Sequence, residues 1–124
     1  MSNLIKERLC RKRIRWLQQV EAYIHSELDH HRHLVISDIS DEMNMSERQF
    51  FRKMHKLTGK TPNQFLQKVR MKRAKQILEK GEFKTIKDIV RATGFNDPDY
   101  FSKLYYSFYS RYPSSYFKKH KMAE

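Results

Sequence analysis

The feature that most limits what this chain can fold into is an internal duplication. ISDISDEMNM at Ile36 to Met45 and IKDIVRATGF at Ile86 to Phe95 align at a constant offset of fifty, pairing Ile36 with Ile86, Asp38 with Asp88, Ile39 with Ile89, Asn44 with Gly94 and Met45 with Phe95. One extra residue then enters the second copy and the offset becomes fifty-one: Phe50 pairs with Phe101, Arg52 with Lys103, Met54 with Tyr105, Leu57 with Phe108, Pro62 with Pro113 and Phe65 with Tyr116. Self-similarity at a fixed spacing marks one supersecondary unit used twice.

Each copy spells helix, turn, helix. A short helix carries Ile at two positions three apart and ends at Asn44 or Gly94, the residue types that most readily take the left-handed conformation closing a helix. Met45 or Phe95 plugs the tight turn. The next helix opens at Ser46, with Gln49 placed for a capping box, or at Asp97, with Pro98 in the first helical position. Val35 occupies the place where Thr85 caps the second copy, and a valine side chain cannot cap.

Between the copies, Thr61-Pro62 starts a helix that runs to about Lys80 and stops at Gly81. At one hundred degrees per residue Phe65, Leu66 and Val69 fall in one sector, with Met71, Ala74 and Leu78 roughly opposite. A helix apolar on two faces needs two partners, so this connector is expected to bury its first half against one copy and its second half against the other. Ahead of the duplication, Leu17, Val20, Ile24 and Leu28, flanked by Trp16 and Tyr23, form one stripe of a helix over Arg13 to Leu28. A last short helix begins near Pro113 with Tyr116 and Phe117. Three glycines and three prolines in 124 residues are too few turn formers for a sandwich, a barrel or a Gly-rich nucleotide-binding fold. The expected fold is all-α: two helix-turn-helix subdomains joined by a central linker helix, about seven helices in all. The expected divisions are a basic N-terminal arm or linker over 1–13, the first subdomain over 14–60, the linker over 61–80, and the second subdomain with a basic tail over 81–124.

Charge says what such a scaffold would meet. Lys and Arg number 26 against 14 Asp and Glu, a net of +12, and a surface of that sign seeks polyanions. A helix-turn-helix offers its second helix to the major groove while neighbouring amides and basic residues hold phosphates. If Phe50, Met54 and Leu57 face inward in the first copy, Glu47, Arg48, Phe51, Arg52 and His55 face outward. If Phe101, Tyr105 and Phe108 face inward in the second, Pro98, Asp99, Ser102, Lys103 and Tyr106 face outward. Arg48 and Arg52 stand one turn apart, suited to two-pronged contact with guanine, and Phe51 to contact with a thymine methyl. The candidate base contacts are Glu47, Arg48, Phe51, Arg52, Pro98, Asp99 and Lys103. The candidate phosphate contacts are Ser46, Lys53, Lys56, Thr61, Asn63, Ser102, Tyr106, Arg111 and Lys118.

These residues resemble the AraC/XylS family of bacterial transcription regulators over about Trp16 to Lys119. The pattern stands here as MSERQFFRKMHKLTGKTPNQFLQKVRMKRAKQIL followed by IKDIVRATGFNDPDYFSKLYYSFYSRYPSSYF, with Ser46, Phe50, Arg52, Gly59, Pro62, Phe65, Arg70, Ala74 and Leu78, then Ile89, Gly94, Phe95, Tyr100, Phe101, Lys103, Pro113 and Tyr116 in the family's order and spacing. The resemblance implies two subdomains reading successive major-groove segments of promoter DNA, with base-reading positions at Arg48, Phe51, Arg52, Pro98, Asp99 and Lys103. It further implies a bacterial protein, RNA polymerase as a partner, and a sensor or effector domain elsewhere in a longer chain whose C-terminal output domain this would be; the lone cysteine and the lack of a membrane span or signal-peptide stretch lead to a cytoplasmic expectation. Ser40 and Val90 stand where the family usually has a small Ala, Ser110 where it has Gly, and Tyr106 and Ser107 where basic residues are common.

Other classes fit less well. Cys10 is the sole cysteine, so no internal disulfide forms, and no apolar run approaches a membrane span. His30, His31 and His33 cluster without carboxylate or Cys partners at ligand spacing, so neither a metal nor a cofactor is expected. Asp38 and Asp88 recur because the unit recurs, early in a helix where negative charge suits the dipole, and they indicate no catalysis. Tyr106 and Tyr109 stay open as stacking groups. The rival reading is a basic helical interaction module that binds an acidic protein or polymerase surface with little DNA specificity. RNA binding lacks the usual sheet or GXXG signals.

Overall fold

The duplication reappears in the backbone of a computed structural model, which describes residues 3–117. The helices run α1 (Asn3–Asp29), α2 (Ile36–Glu42), α3 (Glu47–Thr58), α4 (Pro62–Lys80), α5 (Ile86–Ala92) and α6 (Pro98–Tyr109), and a seventh helical segment, α7, follows over 114–117. Among the described residues there is no strand, and no helix is long and apolar enough to cross a membrane. The fold is all-α, with two helix-turn-helix units on a central helix.

The same bonds build both turns. The Asn44 N–H donates to the Asp41 carbonyl at 3.0 Å and that of Met45 to Ser40 at 2.9 Å; fifty residues on, Gly94 donates to Arg91 at 3.3 Å and Phe95 to Val90 at 3.0 Å. Asn44 (φ 58°) and Gly94 (φ 80°) both take the left-handed conformation their side chains allow. Ser110 takes it as well, at φ 53°, closing α6 where a glycine would do so without strain. Gly94 has a second reason to be bare. A Cβ there would lie 2.8 Å from Leu28 Cδ2, because the end of α1 presses on the turn of the second unit.

The caps differ between copies as the sequence requires. Thr85 accepts the Asp88 N–H at 3.3 Å, while the Asp88 carboxylate accepts those of Thr85 at 3.0 Å and Lys84 at 3.1 Å. At the matching place Val35 makes no side-chain cap, and Asp38 alone reaches back, accepting the Val35 N–H at 3.4 Å. Ser40, standing where a small residue is usual, is buried and donates its hydroxyl to the Ser37 carbonyl at 2.9 Å.

Two apolar clusters form, one per half, and α4 contributes to both. Leu66 and Val69 join Trp16, Val20, Ile24, Leu28, Ile39, Phe50 and Met54. Met71, Ala74 and Leu78 join Ile89, Val90, Phe95, Phe101, Tyr105 and Tyr116. The expected division of the connector into two apolar sectors is thus the one observed. Arg73 ties the halves together from the middle of α4: its guanidinium donates to the Ala92 carbonyl at the end of α5 (2.8 Å), to Asp29 at the end of α1 (2.6 Å) and to His25 Nδ1 (3.2 Å).

The basic stretch before Trp16, for which the sequence leaves a frayed helical extension or an arm open, is the start of α1 itself, helical from Asn3 and exposed through Arg15. One expectation changes. Phe108, expected inward as the counterpart of Leu57, is 42% exposed. The second core is already filled beside it: Tyr105 packs on Tyr109 at 4.8 Å and donates its hydroxyl to that of Tyr116 at 2.9 Å, leaving the Phe108 ring at the margin.

Gly94→Ala should lower unfolding free energy by about 2–4 kcal/mol, through left-handed strain and overlap with a packed leucine. Gly59→Ala, at φ 72° with open space around it, should cost only about 1 kcal/mol. Urea denaturation of the two variants checks the contrast.

Acid provides a second check. The hydrogen bond from Arg73 holds the Asp29 carboxyl below the ordinary aspartate range, and the backbone N–H groups of Thr85 and Lys84 do the same for Asp88. Both pKa values are depressed by folding, so this stability is fully present above the unfolded value of about 3.9 and is lost as pH falls through the lower folded values. Asp88→Asn should flatten the stability-against-pH curve below about pH 4, read from urea midpoints at a series of pH values.

Candidate nucleic-acid interface

The second helix of each unit carries the candidate site. At the head of α3 the Ser46 hydroxyl accepts the Gln49 N–H at 3.1 Å and the Gln49 side chain accepts that of Ser46 at 3.0 Å, which sets where the helix begins. Burial of Phe50 and Met54 then sets its rotation. Glu47, Arg48, Phe51, Arg52 and His55 are left exposed, as the spacing predicts. Phe51 lies parallel to the His55 imidazole, ring centroids 6.2 Å apart, so its face is supported from one side. Neither Arg48 nor Arg52 has a side-chain partner among the described residues, which leaves both guanidinium forks free.

Arg52, Lys53 and Lys56 gather around a cleft of about 390 Å³ together with Arg13 of α1. The Lys53 ammonium stands 4.6 Å over the Trp16 ring, held there by a cation–π contact. The sequence places Arg13 where the basic segment meets the first helix and does not show that it lies beside α3. The signal was present: Arg13 lies nearly one turn ahead of Trp16, and Trp16 packs on Phe50 of α3 at 5.5 Å.

At the head of α6, Asp97 accepts the Asp99 N–H at 2.9 Å. Asp99 and Lys103 are exposed, while Pro98 and Ser102 are half-buried. Tyr106 is exposed and stacks on Tyr112 at 4.6 Å; Tyr109, the other tyrosine left open by the sequence, is half-buried against Tyr105. The Arg111 guanidinium lies 4.0 Å over the Tyr116 ring and donates from Nε to the Ser115 hydroxyl at 2.7 Å. Lys118 lies outside the described residues. The α6 set does not join the cleft beside α3.

Between the two sets, the start of α4 faces the C-terminal half of α6. Thr61 caps α4 by accepting the Gln64 N–H at 3.2 Å, and Asn63 is exposed beside it. Asn63, Lys60, Lys68 and Lys72 line one wall of a groove of about 850 Å³ whose other wall is Leu104, Phe108 and Tyr109. Behind α4, the Arg70 guanidinium packs 5.4 Å from the Phe95 ring, and burial pulls its pKa down. Among the described residues, no three His, Cys, Asp or Glu side chains gather as a metal ion would need.

A family model for a helix-turn-helix domain matches residues 39–119. The chain belongs to the AraC-type helix-turn-helix family. This AraC-type domain is 39% identical over 77 residues to histidine kinase P4 of Formosa agariphila, covering 62% of this chain and 6% of that protein. It is 29% identical over 104 residues to the Msm operon regulatory protein of Streptococcus mutans, covering 84% of this chain and 36% of that protein. The chain therefore spans only a small part of the length of these relatives. Among solved structures, an AraC-type transcriptional regulator from Chromobacterium violaceum superposes with a TM-score of 0.71 at 25% identity, covering 81% of this chain and 87% of that one. The DNA-binding domain of AdpA, a global transcriptional factor determined in complex with a target DNA, superposes with a TM-score of 0.70 at 24% identity, covering 87% and 95%. The fold and the family are those of DNA-binding transcription regulators.

Proposed function

We propose that this AraC-type domain reads two adjacent major-groove segments of promoter DNA as the output domain of a longer regulator. The observation that carries the reading is the exposed, unpartnered pair Arg48 and Arg52 on a helix whose rotation is fixed by Phe50 and Met54. Arg48, Arg52 and Phe51 take the base edges of the first segment, with Glu47 at the helix start; Pro98, Asp99 and Lys103 take those of the second. Lys53, Lys56, Asn63, Arg111 and Tyr106 hold phosphates. Ser46, Thr61 and Ser102 are placed to assist through their hydroxyls or backbone amides, and Lys118 follows on the same reasoning from the sequence. The AdpA domain, which has this fold, was solved with a target DNA, and the low coverage of the relatives supports a sensor or effector domain elsewhere in a longer chain.

One feature favours a second reading, an interaction module. The groove between α4 and α6 sets the exposed Phe108 and the half-buried Leu104 opposite Lys60, Lys68 and Lys72, a combination that suits an acidic protein surface such as one on RNA polymerase.

Duplex titration separates the two. With sites first selected from a random duplex library, Arg52→Ala should weaken selected sites by about 1–3 kcal/mol while changing non-specific binding little. Lys56→Ala should weaken every sequence and reduce the salt slope by about 1. An Arg52→Ala protein with undiminished site preference overturns the base-reading role of that residue, and failure to select any duplex favours the interaction module.

A further inference from the structure

A cleft of about 510 Å³ opens between the two halves on the α1–α2 loop, and its chemistry is one-sided. His31, Arg32 and His33 line it from the first half, and Lys87 and Arg91 of α5 from the second; no carboxylate is among its lining residues. Lys87 and Arg91 stand one turn apart on the same face of α5, a like-charged spacing that weakens a helix unless something negative lies between the charges. Neither has a side-chain partner among the described residues.

Several acidic groups nearby are turned to other work. Asp29 is held by Arg73 at 2.6 Å, Asp88 accepts the backbone N–H groups of Lys84 and Thr85, and Asp97 caps α6. Glu27 accepts from Arg32 at 3.0 Å, which orients that guanidinium and neutralises part of its charge. His30 is occupied separately, its Nδ1 meeting the Ser26 carbonyl at 2.8 Å. The walls are also joined to each other. Arg73 joins the end of α1 to the end of α5, and Leu28 abuts Gly94 on the cleft floor. A concave, cationic site with no carboxylate in its lining is built for a multivalent oxyanion.

We propose that this cleft binds a phosphate-class oxyanion, gripped by Arg32, His31 and His33 from one subdomain and by Lys87 and Arg91 from the other. A phosphoryl group has the several acceptor oxygens needed to meet donors on opposite walls at once. Its source is a phosphodiester of bound DNA or a free phosphoryl ligand, and in either case it braces one helix-turn-helix unit against the other. The site does not depend on Arg48 and Arg52 reading bases.

The probe is inorganic pyrophosphate, titrated into the whole chain at constant ionic strength with sodium chloride as control, and followed by amide and side-chain NMR shifts. The expected result is a saturable shift confined to the α1–α2 loop, α5 and Asn96, with the dissociation constant raised about tenfold or more by Lys87→Gln with Arg91→Gln. Both residues are exposed, so an unchanged thermal melt verifies folding, and Arg32→Gln tests the opposite wall. A selected duplex that displaces pyrophosphate identifies a DNA phosphate as the occupant; pyrophosphate binding unchanged on the duplex-bound protein identifies a free ligand. Shifts that never saturate, that spread equally over α3, or that persist in the double variant overturn the proposal. Because the pyrophosphate arm contains no DNA, its outcome is independent of whether the duplex reading holds.

Discussion

Everything in this molecule depends on α4 being buried on two opposite faces. Leu66 and Val69 complete one core while Met71, Ala74 and Leu78 complete the other, so neither half can close without the same helix. A unit of two short helices buries too little apolar surface to be stable alone, and α2 and α5 are only seven residues each. The shared helix solves that problem once for both. Arg73 adds direction to the apolar contact: one planar side chain meets a backbone carbonyl, a carboxylate and an imidazole on two different elements. The carboxylate is largely exposed, so the ion pair itself adds little stability. What the three contacts supply is orientation, because they are satisfied together only when α1 and α5 are correctly placed around α4.

The duplicated units have diverged where their surroundings allow it. The turns keep identical bonding because a left-handed residue and a plugged apolar side chain are needed in both. The caps and cores differ. The first unit lacks a side-chain cap at Val35 but seals α3 with a full capping box, whereas the second has the full box at Thr85 and a single-bond cap at Asp97. The first core is mostly aliphatic around Phe50 and Trp16. The second is a chain of aromatic rings from Phe95 through Phe101 and Tyr105 to Tyr116, with one buried hydroxyl pair inside it.

Much of the fold was legible in the sequence because local rules and the duplication agreed. The turns at Asn44 and Gly94, the start of α4 at Thr61-Pro62, its end at Gly81 and its two apolar sectors all follow from residue type and spacing. The rotation of α3 was legible for the same reason, which is why Arg48, Phe51 and Arg52 emerge where expected. What escaped was set by volume and by distance along the chain. Phe108 sits at the position of Leu57, yet the larger tyrosines at 105, 109 and 116 fill the space it would need, and a repeat does not report volume. Arg13 and the facing of His31 and His33 toward Lys87 and Arg91 depend on how separate helices meet, about which periodicity along one helix says nothing.

The close approach of Leu28 to Gly94, together with the single strut between the halves, limits how such a molecule can change over time. A residue inserted into α4 would turn everything beyond it by about 100° and lift it by about 1.5 Å. That shift would tear the leucine from its seat and point the far unit elsewhere. The separation and bearing of the two units are therefore not adjustable by single-residue changes in the length of α4. Adaptation has to proceed through side chains on a fixed frame, with the chain length between the copies effectively frozen.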